Sequence, residues 1–163
     1  MQALIINQSN IKLNLKNIQN ILDIIVKNLA RHKTLKNLKL LKKGEITFVL
    51  VSGPQMKAIN FEFRGKDYAT DILSFSPMSP ESLGELILCP SVLKKQARQN
   101  GHSLDFELLY MFIHGILHLV GYDHERSLSE EKKMLSLQDR LFSRLTESKI
   151  NLHLTHVNRR RSQ

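Results

Sequence analysis

SLDFELLYMFIHGILHLVGYDHE, running from Ser103 to Glu125, decides how the rest of the chain is read. It carries three of the seven histidines, His114, His118 and His124. Ser103 is a capping residue for a helix, and Asp105 and Glu107 in the first turn complement its dipole. The helix is expected to run to about Val120 and to be ended by Gly121.

On a helix, residues i and i+4 are rotated by only about 40° and stacked one turn apart. His114 and His118 can therefore aim their rings at one point. Gly121 can take the left-handed conformation that turns the chain back, and His124 follows three residues later. Both spacings arise together by chance with a probability on the order of one per cent, so the three read as one metal site. Three imidazoles suit Zn2+, one per chain, and leave a fourth position for water. Ni2+, Co2+ or Cu2+ would also accept them.

The spacing HxxxHxxGxxH is shared with metzincin proteases, whose motif reads HExxHxxGxxH and whose Glu is the general base. Here that position is Gly115, which cannot take a proton, so that mechanism is disfavoured.

Working outward, 163 residues suit one domain with a real core. We expect a single metallohydrolase domain over 1–150 and a basic, flexible tail over 151–163, where three arginines are consecutive. No apolar run approaches the ~20 residues of a membrane span. The opening MQALIINQSN has no basic n-region or small-residue cleavage site, so no secretory signal is expected. The one cysteine, Cys89, excludes an internal disulfide and suits a reducing, cytoplasmic setting.

The net charge of +9 is uneven. Residues 12–43 carry nine Lys and Arg against one Asp, residues 44–125 six against ten acids, and residues 126–163 nine against four. The histidine segment thus lies between two basic flanks, which favour polyanions such as nucleic acid or anionic lipid. Charge alone does not choose between RNA, DNA and a solvated Lys-rich face.

Ala3–Asn7, Glu45–Val51, Thr70–Ser76 and Glu85–Cys89 read as strands from their β-branched and aromatic content. Asn14 caps a helix with the stripe Leu15, Ile18, Leu22, Ile25 and Leu29, and Lys16 and Lys27 face water. A short helix follows Ser52-Gly53-Pro54, with Met56, Ile59 and Phe63 on its apolar face and Gly65 at its end. Ser91–Gln99 is helical. Ser127-x-x-Glu130 is a capping box for a last helix that packs through Leu128, Met134, Leu141 and Leu145. The expected class is α+β: a single small mixed sheet of about four strands covered by about five helices.

HGILHLVGYDH, His114–His124, resembles the signature of the YbeY family of metal-dependent endoribonucleases. FRGKDYATDILSF, Phe63–Phe75, and LGELILCP, Leu83–Pro90, resemble two further segments of that family in the same order. The likeness covers about residues 45–145. It implies zinc-dependent cleavage of single-stranded RNA, with a role in small-subunit (16S) rRNA maturation and ribosome quality control. Arg64 matches the family's functional arginine, and its planar fork could clamp charge on a scissile phosphate. Arg64 and His114 are the implied catalytic residues, with His114, His118 and His124 as metal ligands. The implied partners are single-stranded RNA, ribosomal RNA, and the ribosome or its assembly factors.

The positive flanks, with Lys94, Lys95 and Arg98 on one helix, would add sequence-independent attraction for phosphate. Two other readings are open at this point. One is a metalloprotease-like hydrolase using a carboxylate outside the motif. The other is a non-enzymatic RNA- or ribosome-binding protein with structural zinc, which would require a fourth protein ligand. Cys89, within ELILCP, reads as a buried apolar residue and not as that ligand.

Overall fold

ALIIN forms the first strand, β1 (Gln2–Asn7), and Asn14 caps α1 (Leu15–Leu29), its side chain accepting from Asn17 N at 3.1 Å. The computed structural model describes residues 1–31, 38–122, 127–148 and 152–155. Ile18, Leu22, Ile25 and Leu29 of the α1 stripe are buried, and Lys16 and Lys27 are exposed. Leu15, at the first helical position, is 59% exposed and takes no part in the core. Ile21 and Val26 widen the stripe instead, as a helix lying on a sheet requires.

The C-terminal end of the basic segment 12–43 contains a helix that the sequence did not signal, α2 (Leu38–Lys43). At six residues it is too short to hold by propensity. It is anchored by Leu41, fully buried in the core, and by Gly44 N donating to Leu40 O.

Next come β2 (Glu45–Leu50), α3 (Gly53–Arg64), β3 (Ile72–Phe75), β4 (Ser82–Leu88) and α4 (Pro90–Gln99). α5 (Leu104–Leu119) and α6 (Leu128–Thr146) complete the order. Ser52 begins α3, its backbone N–H donating to Gln55 Oε1, and Gly65 ends it in the left-handed region. β4 starts at Ser82, three residues before the expected Glu85. Leu83 is buried there, and the register against β2 shifts, Glu45 pairing with Ser82 and Ile46 with Gly84.

The sheet order is β1-β2-β4-β3. β1, β2 and β4 are parallel, and β3 runs antiparallel on the edge against β4. This is the α+β class expected, a single mixed four-stranded sheet, with six described helices in place of about five.

α5 lies on β3 and β4 between α4 and α6. Leu108, Leu109, Phe112, Ile113, Ile116 and Leu117 are all buried, over about half of the helix circumference. Each such side chain contributes about 1.5–3 kcal/mol relative to exposure, so burial rather than capping fixes this helix in place. Between Glu107 and Val120 only Tyr110, Met111, His114 and His118 are partly exposed. Their spacing puts them on one face, a single wet stripe along an otherwise dry helix.

α6 packs through Met134, Leu137, Leu141 and Leu145. Leu128, expected to join them, is 76% exposed at the first helical position. Residues 152–155, from the stretch read as a basic tail, are docked: Leu154 is fully buried, and its carbonyl accepts from Asn14 N at 2.8 Å. Thr155 N and Oγ1 both donate to Asp105 Oδ1. Among the described residues no helix is long and apolar enough to cross a membrane.

Candidate metal centre

The wet stripe of α5 presents His114 and His118 side by side. Their rings meet edge to face with centroids 4.7 Å apart, and their Nε2 atoms are 3.1 Å apart. Two nitrogens bound to one zinc at a tetrahedral angle are about 3.3 Å apart, given Zn–N bonds of about 2.0–2.1 Å. The pair therefore fits two neighbouring ligand positions on one ion. The third expected ligand, His124, lies outside the described residues, as do Asp123 and Glu125. Among the described residues no group of three metal-ligating side chains converges.

The turn that leads toward His124 is built as expected. Tyr122 N donates to Leu117 O and Gly121 N to His118 O, both at 3.0 Å. With Val120 as the cap, these are the two hydrogen bonds of a Schellman motif. It requires positive φ after the cap, and Gly121 has φ 99°.

Gly115, where a metzincin has its Glu, faces the sheet. A Cβ there would lie 2.6 Å and 2.7 Å from the two methyl carbons of Leu86 and 2.9 Å from Ile72 Cδ1. The glycine lets α5 approach β3 and β4 closely.

His114 is held from behind by Gln138 of α6, whose Oε1 lies 3.0 Å from His114 Nδ1. Gln138 is 0% exposed, and its Nε2 donates to Tyr110 O at 3.4 Å. Beside it Tyr110 Oη donates to Asp139 Oδ1 at 3.1 Å. Burial first, and then that carboxylate, push the Tyr110 phenol up to about 12. The sequence reading missed Gln138. Its signal was a polar residue on the apolar face of α6, four positions after Met134 and three before Leu141.

At the other end of α5, the buried Glu107 pairs with His102 Nε2 at 3.1 Å. Cys89 is fully buried, as its context suggested.

Arg64 is exposed at the last position of α3. α3 lies against α4, and α4 against α5. Lys94, Lys95 and Arg98 are exposed on α4. The structure thus brings His114 and His118 into contact, and sets Arg64 on a helix that shares α4 as a neighbour with theirs.

A family model described as Endoribonuclease YbeY matches residues 4–146. The chain belongs to the YbeY endoribonuclease family. Among curated YbeY endoribonucleases, that of Bdellovibrio bacteriovorus is 46% identical over 142 residues, covering 87% of this chain and 93% of its own. That of Thermotoga maritima is 39% identical over 115 residues, covering 65% of this chain and 77% of its own. A solution structure of a Thermotoga maritima protein superposes with a TM-score of 0.59 at 30% identity, covering 87% of both chains. The YbeY match begins at Leu4, within β1, and ends at Thr146, the last residue of α6.

Proposed function

We propose that this chain is a zinc-dependent, single-strand-specific endoribonuclease. It works in the cytoplasm on small-subunit ribosomal RNA, in 16S maturation and ribosome quality control, alongside the ribosome or its assembly factors. The observation that carries the reading is the 3.1 Å approach of the His114 and His118 Nε2 atoms, on the one wet stripe of a buried helix in a YbeY chain.

His114, His118 and His124 would hold the ion, and zinc bound there would supply Lewis-acid chemistry for phosphodiester cleavage. The remaining work falls to the chain's own side chains. Cleaving a phosphodiester concentrates negative charge on the non-bridging oxygens, and the Arg64 guanidinium donates to them through its two-pronged face. The Gln138 contact on His114 and the edge-to-face contact of the two rings orient the imidazoles, so less reorganisation is needed as charge develops. Lys94, Lys95 and Arg98 add attraction for the RNA backbone that weakens as salt rises.

The packing of Gly115 against Leu86 and Ile72 counts against a protease of the metzincin type, because it leaves no room for the general base. The test is a cleavage assay on zinc-loaded protein with single-stranded RNA, duplex RNA and an unstructured peptide. Cleavage of the single strand alone is expected. Peptide cleavage, or no cleavage of any substrate, would overturn the reading.

A further inference from the structure

We infer that Gln138 is a positioning residue that fixes the tautomer of His114 and so presents its Nε2 as a bare lone pair. The inference begins at an atom whose role cannot change. Tyr110 O is a backbone carbonyl and only accepts. Gln138 Nε2 lies 3.4 Å from it, so the amide NH2 faces Tyr110 and Oε1 faces His114 Nδ1 at 3.0 Å. An amide oxygen also only accepts, so Nδ1 carries the proton. A neutral imidazole has a single N–H, which leaves Nε2 unprotonated.

That lone pair points at His118 Nε2, 3.1 Å away. A metal ion between the rings needs a bare Nε2 on His114, and so does an N–H···N hydrogen bond from His118. Both arrangements agree with the proton placed on Nδ1. Gln138 is fully buried, so water does not compete for the amide. It sits on α6 while the histidines sit on α5, so the packing of the two helices sets the ring's orientation. Such outer partners of ligating histidines fix ring geometry and raise ligand basicity.

The inference rests on the metal reading in only one of its two readouts. The first is the long-range proton–nitrogen spectrum of 15N-histidine-labelled, metal-free enzyme at alkaline pH, where imidazoles are neutral. His114 should show the Nδ1–H pattern in the unaltered chain and in Gln138→Glu, whose carboxylate still accepts. It should lose that pattern in Gln138→Leu. The second readout is zinc affinity by chelator competition. It should fall about 10–100-fold in Gln138→Leu and stay within about threefold in Gln138→Glu.

An Nε2–H pattern for His114 in the unaltered chain would overturn the inference. So would a Gln138→Leu protein with tautomer and affinity unchanged, or a Gln138→Glu protein as impaired as Gln138→Leu. If Gln138→Leu does not fold, the unaltered chain and Gln138→Glu still decide. Failure of the unaltered chain to bind zinc would contradict the proposed function instead, and the spectrum would still decide the tautomer.

Discussion

Gly115 stands directly against Leu86: a Cβ on the glycine would lie 2.6 Å from one of the leucine's methyl carbons and 2.7 Å from the other. Both residues are buried, Gly115 in α5 and Leu86 at the centre of β4. A glycine inside a helix forfeits about 1 kcal/mol relative to alanine. The fold accepts that loss because the close approach seats the helix that carries the histidines.

Gly115→Glu should therefore destabilise the protein by more than about 3 kcal/mol, through overpacking and burial of an unpaired carboxylate. Gly115→Ala should cost less, since its gain in helix propensity offsets part of the clash. Urea denaturation measures both. A Gly115→Glu protein as stable as the parent would show that this face is not packed as described.

Gly121 is tested in the same way. At φ 99° an alanine is strained, and a left-handed residue with a Cβ costs about 1–2 kcal/mol. Gly121→Ala should lower the melting temperature and also weaken zinc binding, because the segment leading to His124 leaves the helix through this turn. Zinc affinity unchanged alongside a lower melting temperature would separate the turn from the site.

Tyr110 offers a test by pH. Its phenol, raised from 10.0 to about 12 by burial and then by Asp139, is protonated more tightly in the folded chain than in the unfolded one. The stability this contributes is fully present below pH 10 and is lost as pH rises from there through about 12. A carbon-13 tyrosine titration should find Tyr110 ionising near 12. Asp139→Asn should lower that value without restoring it to 10.0, because burial remains. A Tyr110 midpoint near 10.0 in the parent would contradict the packing of α5 on α6.

Arg64 is exposed at the C-terminal end of α3. Arg64→Ala should slow RNA cleavage about 10²–10³-fold and leave zinc content intact. Arg64→Lys should recover only part of the loss, since a lysine keeps the charge without the fork. Single-turnover cleavage rates alongside metal analysis check this, and an unchanged rate would remove Arg64 from the mechanism.

What could be read from the sequence was what local pattern encodes. EITFVLV and ELILC announce strands by composition, and Asn14, Ser103 and Ser127 announce helix starts, all three now with side chains accepting from the first turn. The order β1-β2-β4-β3 was not legible, because strand pairing is decided by packing across the chain. α2 escaped notice because six residues rich in lysine become helical only once Leu41 is buried. Ser82 and Leu83 read as turn because Pro80 and Gly84 surround them, and only pairing with β2 makes them strand.

The same division holds at the site. The i, i+4 histidines and the glycine turn were visible because one segment contains them. Gln138 was not, since its role requires knowing that α6 crosses behind His114. Leu154 and Thr155 looked like tail residues, and their docking depends on Asn14 and Asp105, far away in sequence.

The most direct test of the account pairs zinc analysis with single-stranded RNA cleavage, on the intact protein and on His118→Ala. The account predicts one zinc per intact chain and active cleavage, with both lost in the variant while its circular dichroism spectrum is kept. A folded His118→Ala protein that retains full zinc and full cleavage would contradict it.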